Sequence, residues 1–286
     1  MSNKPIREHS EKSRARSSTY WGLLVMASLL IAWQVVSIAL GESSAGIKLV
    51  PGIQDVIGAF IQFSGYWPGG LGAGDVSRGA DKTLWGAVLG LLYNGGITLI
   101  RCAIGLAGGV IVGVGLGLLV SWLKVARELL TFPAHFMRMM PLLALLPLFG
   151  LWFGLSELGT YIFVTFAVAV LLFVITASAI NGVSTYYLDY ASSLGASKWR
   201  IYRSVMIPAA LPELRTGLLL AVPFAWSAVL AAEYIGKAYG LGRILNYAQL
   251  YGATDVIAIT GVFVVIAAST SFFAVRRYLN YVTRWA

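Results

Sequence analysis

Six times along this 286-residue chain the sequence runs without a charged residue far enough to suggest a helix that a bilayer would accept. The runs are Trp21–Gly41, Cys102–Ser121, Met139–Ser156, Leu158–Leu188, Thr216–Ala232 and Val256–Val275. A hydrocarbon core about 30 Å thick takes roughly 20 apolar residues in a helix. A single charge at mid-helix costs about 2.5–3.5 kcal/mol on insertion scales. The third run is interrupted by prolines and the fifth is short, but six crossings is the natural reading. Composition agrees: 58% of residues are hydrophobic and only 12% charged, where soluble domains carry about a quarter. The expected fold class is an all-α membrane protein with six transmembrane helices.

Lys and Arg set the expected orientation. Lys4, Arg7, Lys12, Arg14 and Arg16 precede the first run, and Lys124, Arg127 and Arg138 separate the second from the third. Lys198, Arg200, Arg203 and Arg215 lie between the fourth and fifth, and Arg276, Arg277 and Arg284 follow the sixth. The alternate loops hold only Lys48, Arg78, Lys82, Lys237 and Arg243, with Arg101 at the edge of a run. The positive-inside rule then puts the N and C termini and the 182–215 loop in the cytoplasm. The net charge of +9 is spread over four such segments, which fits anionic lipid and topology rather than nucleic acid. Cys102 is alone inside a run, which excludes a disulfide framework or a cysteine-rich metal site.

Four segments are expected. Residues 1–19 read as a basic, disordered cytoplasmic tail, and 20–41 as the first transmembrane helix, a retained signal-anchor. Residues 42–96 read as an extracytoplasmic segment. Within it, Ile53, Val56, Ile57, Phe60 and Ile61 make an amphipathic pattern for a short surface helix. Tyr66-Trp-Pro-Gly-Gly-Leu-Gly-Ala-Gly74 makes a loop. Trp85–Tyr93 is too short to cross, and reads as interfacial or as the beginning of the second span. Residues 97–286 form a five-helix core with a polar cytoplasmic loop at 182–213. In the second span Gly105, Gly109, Gly113 and Gly117 recur at steps of four, giving a ridge for close helix approach, within the chain or between two copies. Pro141 and Pro147 interrupt the third span and Pro223 the fifth. The freed carbonyls need protein or a wet cavity beside them, so a packed kink and a bent helix lining a transport path both remain open.

The cytoplasmic loop is the most unusual piece. Tyr186–Leu194 has the makings of one short helix, Gly195 supplies a positive φ, and Ser197 caps a second helix over Lys198–Met206 that Pro208 helps to end. The expected result is a rigid knob between two apolar runs, bearing basic residues with Trp199 and Tyr202. An ordinary interfacial hairpin is the plain alternative.

Asp189-x-Ala191-x3-Gly195, nine residues to Val205, then Ile207-Pro208, resembles the loop by which ABC importer permeases dock on their ATPases. In that family the pattern reads Glu-Ala-Ala-x3-Gly-x9-Ile-x-Leu-Pro. This chain has Asp189 for Glu, Tyr190 for Ala, Val205 for Ile and Ile207 for Leu. Thr98-Leu-Ile-Arg101, Met140-Pro-Leu-Leu-Ala-Leu-Leu-Pro-Leu-Phe-Gly-Leu-Trp-Phe-Gly154, Ala232-Glu233 and Gly240-Leu-Gly242 extend the likeness over roughly 95–280. Together they are similar to the binding-protein-dependent subgroup that imports sulfonates, taurine and nitrate.

The resemblance implies a type I ABC importer permease fold and a division of labour. Asp189, Ala191, Gly195, Ala196, Val205, Ile207 and Pro208 would couple to the motor. Two ABC ATPase subunits would hold ATP and Mg. An extracytoplasmic solute-binding protein would deliver a small solute, a sulfonate, nitrate or organic acid, with a neutral heterocycle as the alternative cargo. A second permease, most simply the same chain, would complete the gate within the lipid bilayer. Met139, Met140, Pro141, Trp226 and Ser227 are the candidates for the translocation path. Arg101 and Glu233 are candidates for an outer gate or a binding-protein contact, an ion pair, or snorkelling side chains. No cofactor or metal is expected in the chain itself. Gly236-Lys237 is followed by Ala238 and has Ala231 where a P-loop needs its first glycine, so catalysis is not expected here. The rivals are a self-sufficient channel or secondary carrier, and a membrane scaffold or sensor.

Overall fold

The computed structural model describes residues 4–42 and 48–283, with side chains from Tyr20 onward except Leu23. Arg284, counted above among the basic residues, lies outside them, as do the side chains of Lys4, Arg7, Lys12, Arg14 and Arg16. Among the described residues the chain is helical, with two isolated bridges, Glu42 to Lys48 and Gly70 to Ala73, and no strand. Five helical stretches are long and apolar enough to cross a membrane: Tyr20–Leu40, Leu84–Trp122, Glu157–Asn181, Lys198–Tyr234 and Thr254–Val282. A sixth crossing exists only if a bent pair, Lys124–Met139 with Leu142–Phe153, counts as one broken span.

The residues cluster into two units, Met1–Phe60 with Ala248–Ile259, and Ile61–Tyr247 with Thr260–Ala286. In the first, α1 (Lys4–Leu40) runs through the segment expected to be a disordered tail. Lys, Arg, Glu and Ala are good helix formers, and they continue a helix already nucleated by the apolar run. The chain then turns back along α1. Trp33 Nε1 donates to Pro51 O at 3.0 Å, Ser37 Oγ to Val50 O at 2.9 Å, and Ile53 N to Gln34 Oε1 at 3.0 Å. The amphipathic segment folds as α2 (Ile53–Gly58) followed by a 3-10 segment, Ala59–Tyr66, which takes Phe60 and Ile61. Asp55 accepts from the Gly52 N–H and pairs with Lys48 at 3.0 Å, and both hold its carboxyl below the usual carboxylate range.

In the second unit the glycine-rich loop is a tight turn. Gly69, Gly70 and Gly72 take positive φ, and the Trp67 and Trp85 indoles donate to Gly70 O and Leu71 O. Thr83 then caps α3 (Leu84–Trp122) by accepting from Gly86 N. So Trp85–Tyr93 is the beginning of the helix that carries the second apolar run, and that helix continues unbroken across 96–97, where a segment boundary was expected. Arg101 sits near the middle of the 39-residue α3.

The glycine ridge faces α6 (Glu157–Asn181) in the same chain. A Cβ on Gly105, Gly109, Gly113 or Gly117 would come within 2.4–2.5 Å of Val164, Val168, Ala169 or Thr176. Only bare backbone lets the two helices meet this closely. After α3, α4 (Lys124–Met139) and α5 (Leu142–Phe153) meet at a 106° bend. Met140 and Pro141, both extended, break the helix there, because the residue before a proline is driven out of the α region. The run expected as the third span holds only the short α5, with Pro147 inside it, and α4 precedes it.

The fourth span stops at Asn181, earlier than the apolar run, with Gly182 as its C-cap. Next come α7 (Thr185–Ser193) and α8 (Lys198–Ile201), a π-helical turn over Tyr202–Met206, and α9 (Ile207–Tyr234). Pro208 does not end the second helix. It stands in the first turn of α9, and the wide π turn, in which Ile207 N donates to Tyr202 O, makes room for the proline ring. Pro212 and Pro223 also lie within α9, and α10 (Leu241–Leu250) and α11 (Thr254–Val282) complete the chain.

Candidate functional site

Two assemblies of side chains stand out, both in the second unit. The first is a buried ionic clamp. Asn94, Thr98 and Arg101 occur at steps of four and three, hence on one face of α3, and all three are buried. Glu233, at the end of α9, comes to this face with its side chain 0% exposed, while that of Arg101 is 4% exposed. Arg101 donates to Glu233 Oε1 and to Tyr239 O, both at 2.7 Å. Its other edge forms a two-bond fork with Glu157 in the first turn of α6, at 2.7 and 2.5 Å. Such planar bidentate pairing favours Arg over Lys. Lys237 lies 3.7 Å from Glu157 and donates to Leu155 O and Ser156 O. Two cations thus meet two carboxylates. Burial pushes the Lys237 ammonium below its ordinary range, and the neighbouring Glu157 pulls it partly back.

The same face receives the loop that follows α9. Gly240 N donates to Asn94 Oδ1, Leu241 N to Thr98 Oγ1 and Gly242 N to Glu233 Oε2, each at 2.9 Å. These donors open α10, where the first turn has no intrahelical acceptors. A Cβ on Gly240, which has φ +119, would fall 2.4 Å from the Glu233 carboxyl. On Gly242 it would fall 2.5 Å from Leu230 O. That is why Gly-Leu-Gly follows Glu233. Of the readings left open for Arg101 and Glu233, the structure shows the ion pair. Both side chains are buried in this chain. Asn94, Glu157 and Lys237 were not singled out from sequence. An Asn four residues before Thr98 in an apolar helix was the available signal for the first.

The second assembly is the polar knob. Gly195 has φ +75, and Ser197 Oγ accepts from Arg200 N. Tyr186, Tyr187, Asp189, Tyr190, Leu194 and Trp199 are exposed, while Ala191, Ala196, Val205, Ile207 and Pro208 are half-buried. Tyr202 alone among the knob's aromatics is buried, and its hydroxyl donates to Leu118 O of α3 at 2.7 Å. Ile180 of α6 and Leu214 of α9 share its cluster.

The path candidates do not form one group. Met139 and Pro141 are exposed at the α4–α5 break. Half-buried Met140 lines a cavity of about 190 Å³ with Phe166 and Phe224. Trp226 is buried without a hydrogen-bond partner for its indole N–H. The next residue, Ser227, is exposed, with its hydroxyl on Pro223 O. In this conformation Trp226 is packed inside the bundle rather than lining an open route.

A helical membrane bundle with a broken span and a protruding polar helix pair is the architecture of a type I ABC importer permease. Among solved structures, the inward-facing MetNI methionine ABC transporter matches with TM-score 0.55 at 23% identity, covering 67% of this chain and 96% of that one. The chain belongs to the family of binding-protein-dependent transport system inner membrane components, whose profile matches residues 105–284. It is 30% identical to the taurine transport system permease protein TauC of Escherichia coli (strain K12) over 177 residues, 62% of each chain. It therefore spans less than two thirds of that relative. It is 27% identical to the putative aliphatic sulfonates transport permease protein SsuC of Bacillus subtilis (strain 168) over 269 residues, 93% of this chain and 88% of that one.

Proposed function

We propose that the chain is the transmembrane permease subunit of an ATP-driven importer for a small anion of the sulfonate, nitrate or organic-acid class. It carries no catalysis of its own. Two ATPase subunits, holding ATP and Mg, grip the 187–208 knob through Asp189, Ala191, Gly195, Ala196, Val205, Ile207 and Pro208. A second copy of the chain completes the gate, and an extracytoplasmic solute-binding protein delivers the cargo. Both termini lie in the cytoplasm. ATP-driven closure of the motor moves the knobs and alternates access from outside to inside, because nucleotide favours one of the two arrangements. Met139, Met140 and Pro141 at the α4–α5 break, with Trp226 and Ser227, are the residues proposed to meet the solute.

The observation that carries this reading is the knob. It exposes three tyrosines, Leu194 and Trp199 on a hinge whose glycine has φ +75, and a patch of that kind marks an interaction site. The cargo class rests on the relatives' names for taurine and aliphatic sulfonates. A secondary carrier would hold buried ionisable groups ready for a coupling ion. Here Arg101, Glu157, Glu233 and Lys237 satisfy one another.

The test is co-purification and uptake. The wild-type chain should retain ATPase subunits in detergent and, in liposomes with a binding protein, import at least one of a panel of sulfonates, nitrate and organic acids. Gly195→Leu forces a side chain into the left-handed region at about 1–2 kcal/mol. It should leave insertion intact and reduce uptake to background. Uptake by the purified chain alone would establish the carrier instead.

A further inference from the structure

By sequence Arg138 is one more cation of a basic segment between two apolar runs, but the fold carries it away from that company. It stands in the last turn of α4. That helix packs on α6, with Ala126, Leu130 and Ala134 against Phe173 and Val174. At its far end Met137 and Arg138 reach the cavity of about 190 Å³ at the α4–α5 break, whose α6 wall includes Phe166, Val170 and Leu171. Those three residues belong to the middle of α6, a 25-residue helix. A cation beside the middle of a membrane-spanning helix is costly unless a partner or a function answers it.

The other cations of α4 have partners. Lys124 lies 3.9 Å from Glu128, and the Arg127 guanidinium donates to Val120 O and Ser121 O. Arg138 makes no ion pair or hydrogen bond with any described residue, and it is exposed. A cation in the last turn suits the dipole of α4, which accounts for a charge there but not for the space beside it. A second cavity, of about 400 Å³, adjoins the first, since Met137, Phe166 and Val170 line both. Its further walls include Val112, Leu116, Pro133 and Phe173. Among the described residues lining the two cavities, Arg138 is the only charged one. Either space far exceeds the roughly 10–15 Å³ that one water needs.

A single cation at one end and an apolar hollow at the other complement an anion with a tail. A guanidinium offers paired N–H donors to a carboxylate or a similar oxyanion. Low-dielectric walls focus the field of a single charge, and unbranched methionines such as Met137 and Met140 adapt to guests of varied shape. We propose that Arg138 selects the cargo on the translocation path, holding the anionic head at the α4–α5 break while the apolar tail lies in the wider cavity. The cargo that fits is a sulfonate or carboxylate carrying several carbons; nitrate would occupy the first cavity alone. Such a site rests on the anion-importer reading given above.

The test reads the charge of the site in the full chain alone, in nanodiscs. Met140→Cys in a Cys102→Ser background is treated with two methanethiosulfonates, one bearing a sulfonate and one a trimethylammonium group. The anionic reagent should react faster. Arg138→Gln should lower the anionic-to-cationic rate ratio at least about tenfold, the lower end of what a focused charge does to encounter rates. Arg138→Lys should keep most of the ratio. Both reagents attack the same thiol, so altered packing changes both rates and leaves their ratio alone. Hexanesulfonate should protect the thiol at concentrations at least about tenfold below ethanesulfonate, since each buried methylene tightens binding up to about four-fold. The uncharged 1-hexanol should not protect. With ATPase subunits and binding protein in liposomes, Arg138→Gln should import the wild type's anion at about a tenth of its rate or less. An unchanged rate ratio, equal protection by hexanol, or full uptake by Arg138→Gln overturns the proposal. If the wild-type assembly imports no sulfonate or carboxylate, the importer reading falls, while the rate ratio and the protection still decide the site.

Discussion

Arg101 is the residue on which the clamp turns, because among the described residues it is the only cation in contact with the fully buried Glu233. Removing it leaves that carboxylate with Thr98 and the Gly242 N–H. Breaking a buried pair from one side costs about 3–5 kcal/mol, so Arg101→Leu should sharply lower the melting temperature in detergent. Glu157→Gln should do far less, since the Glu157 side chain is 52% exposed and water screens it. The double variant Arg101→Leu, Glu233→Leu should regain much of the loss, because no lone charge stays behind. Lys237 supplies a pH test. Its folded value lies below the ordinary 10.5, so the native state holds its proton less firmly than the unfolded chain. The resulting penalty is fully present below the folded value and is relieved as pH rises toward the ordinary one. Melting temperature should therefore climb more steeply as pH rises toward 10.5 in the wild type than in Lys237→Met. Arg101 and Glu233 are legible in the sequence as charges in apolar surroundings. Their pairing is one of several readings that the sequence allows, and where α9 ends beside α3 selects it. Lys237 reads in the sequence as a loop cation, and nothing local to Glu157 marks it as Arg101's second partner.

Among the elements, the glycine helix gives the sharpest discrimination. Gly109→Ala would press a methyl within 2.4 Å of Val168, whereas Gly115 has nothing within 4 Å of its added Cβ. Overpacking costs about 1–3 kcal/mol, and relief of glycine's poor helix propensity returns up to about 1 kcal/mol. Melting curves should show Gly109→Ala destabilised and Gly115→Ala unchanged or improved, although both lie on one helix. Equal effects would mean that the ridge does not hold α6. The four-residue spacing announced a close contact and left its partner open. The sequence also announced the knob, since Gly195 and Ser197 are local signals that act within a few residues. Two element boundaries resisted reading for the same physical reason. Proline marks a lost hydrogen bond but not what the chain does about it: at Pro141 the helix breaks and bends by 106°, and at Pro208 it widens into a π turn and continues.

For the whole molecule, the alternation of basic segments makes one statement about direction that packing alone cannot make. If six crossings alternate as the sequence suggests, fifteen Lys and Arg residues fall on the side of the termini and the knob, against five in the alternate loops and Arg101 within a helix. Translocating the richer side would oppose the bias that orients membrane proteins. Leu71 in the glycine-rich loop and Tyr190 on the knob are both exposed, 75% and 61%, and suit single-cysteine labelling in a Cys102→Ser background. In spheroplasts a membrane-impermeant maleimide should modify Leu71→Cys at once, and Tyr190→Cys only after the membrane is opened. The six-crossing and five-crossing counts are separated in the same assay. Arg7→Cys lies before α1's apolar stretch, and Tyr281→Cys lies at the end of α11. With an even number of crossings they are protected together. If α4 and α5 dip in and return on one side, the count becomes odd and one of the two is labelled in sealed spheroplasts. Labelling of Tyr190→Cys from outside would reverse the orientation, and a knob on that face has no access to a motor that burns cytoplasmic ATP.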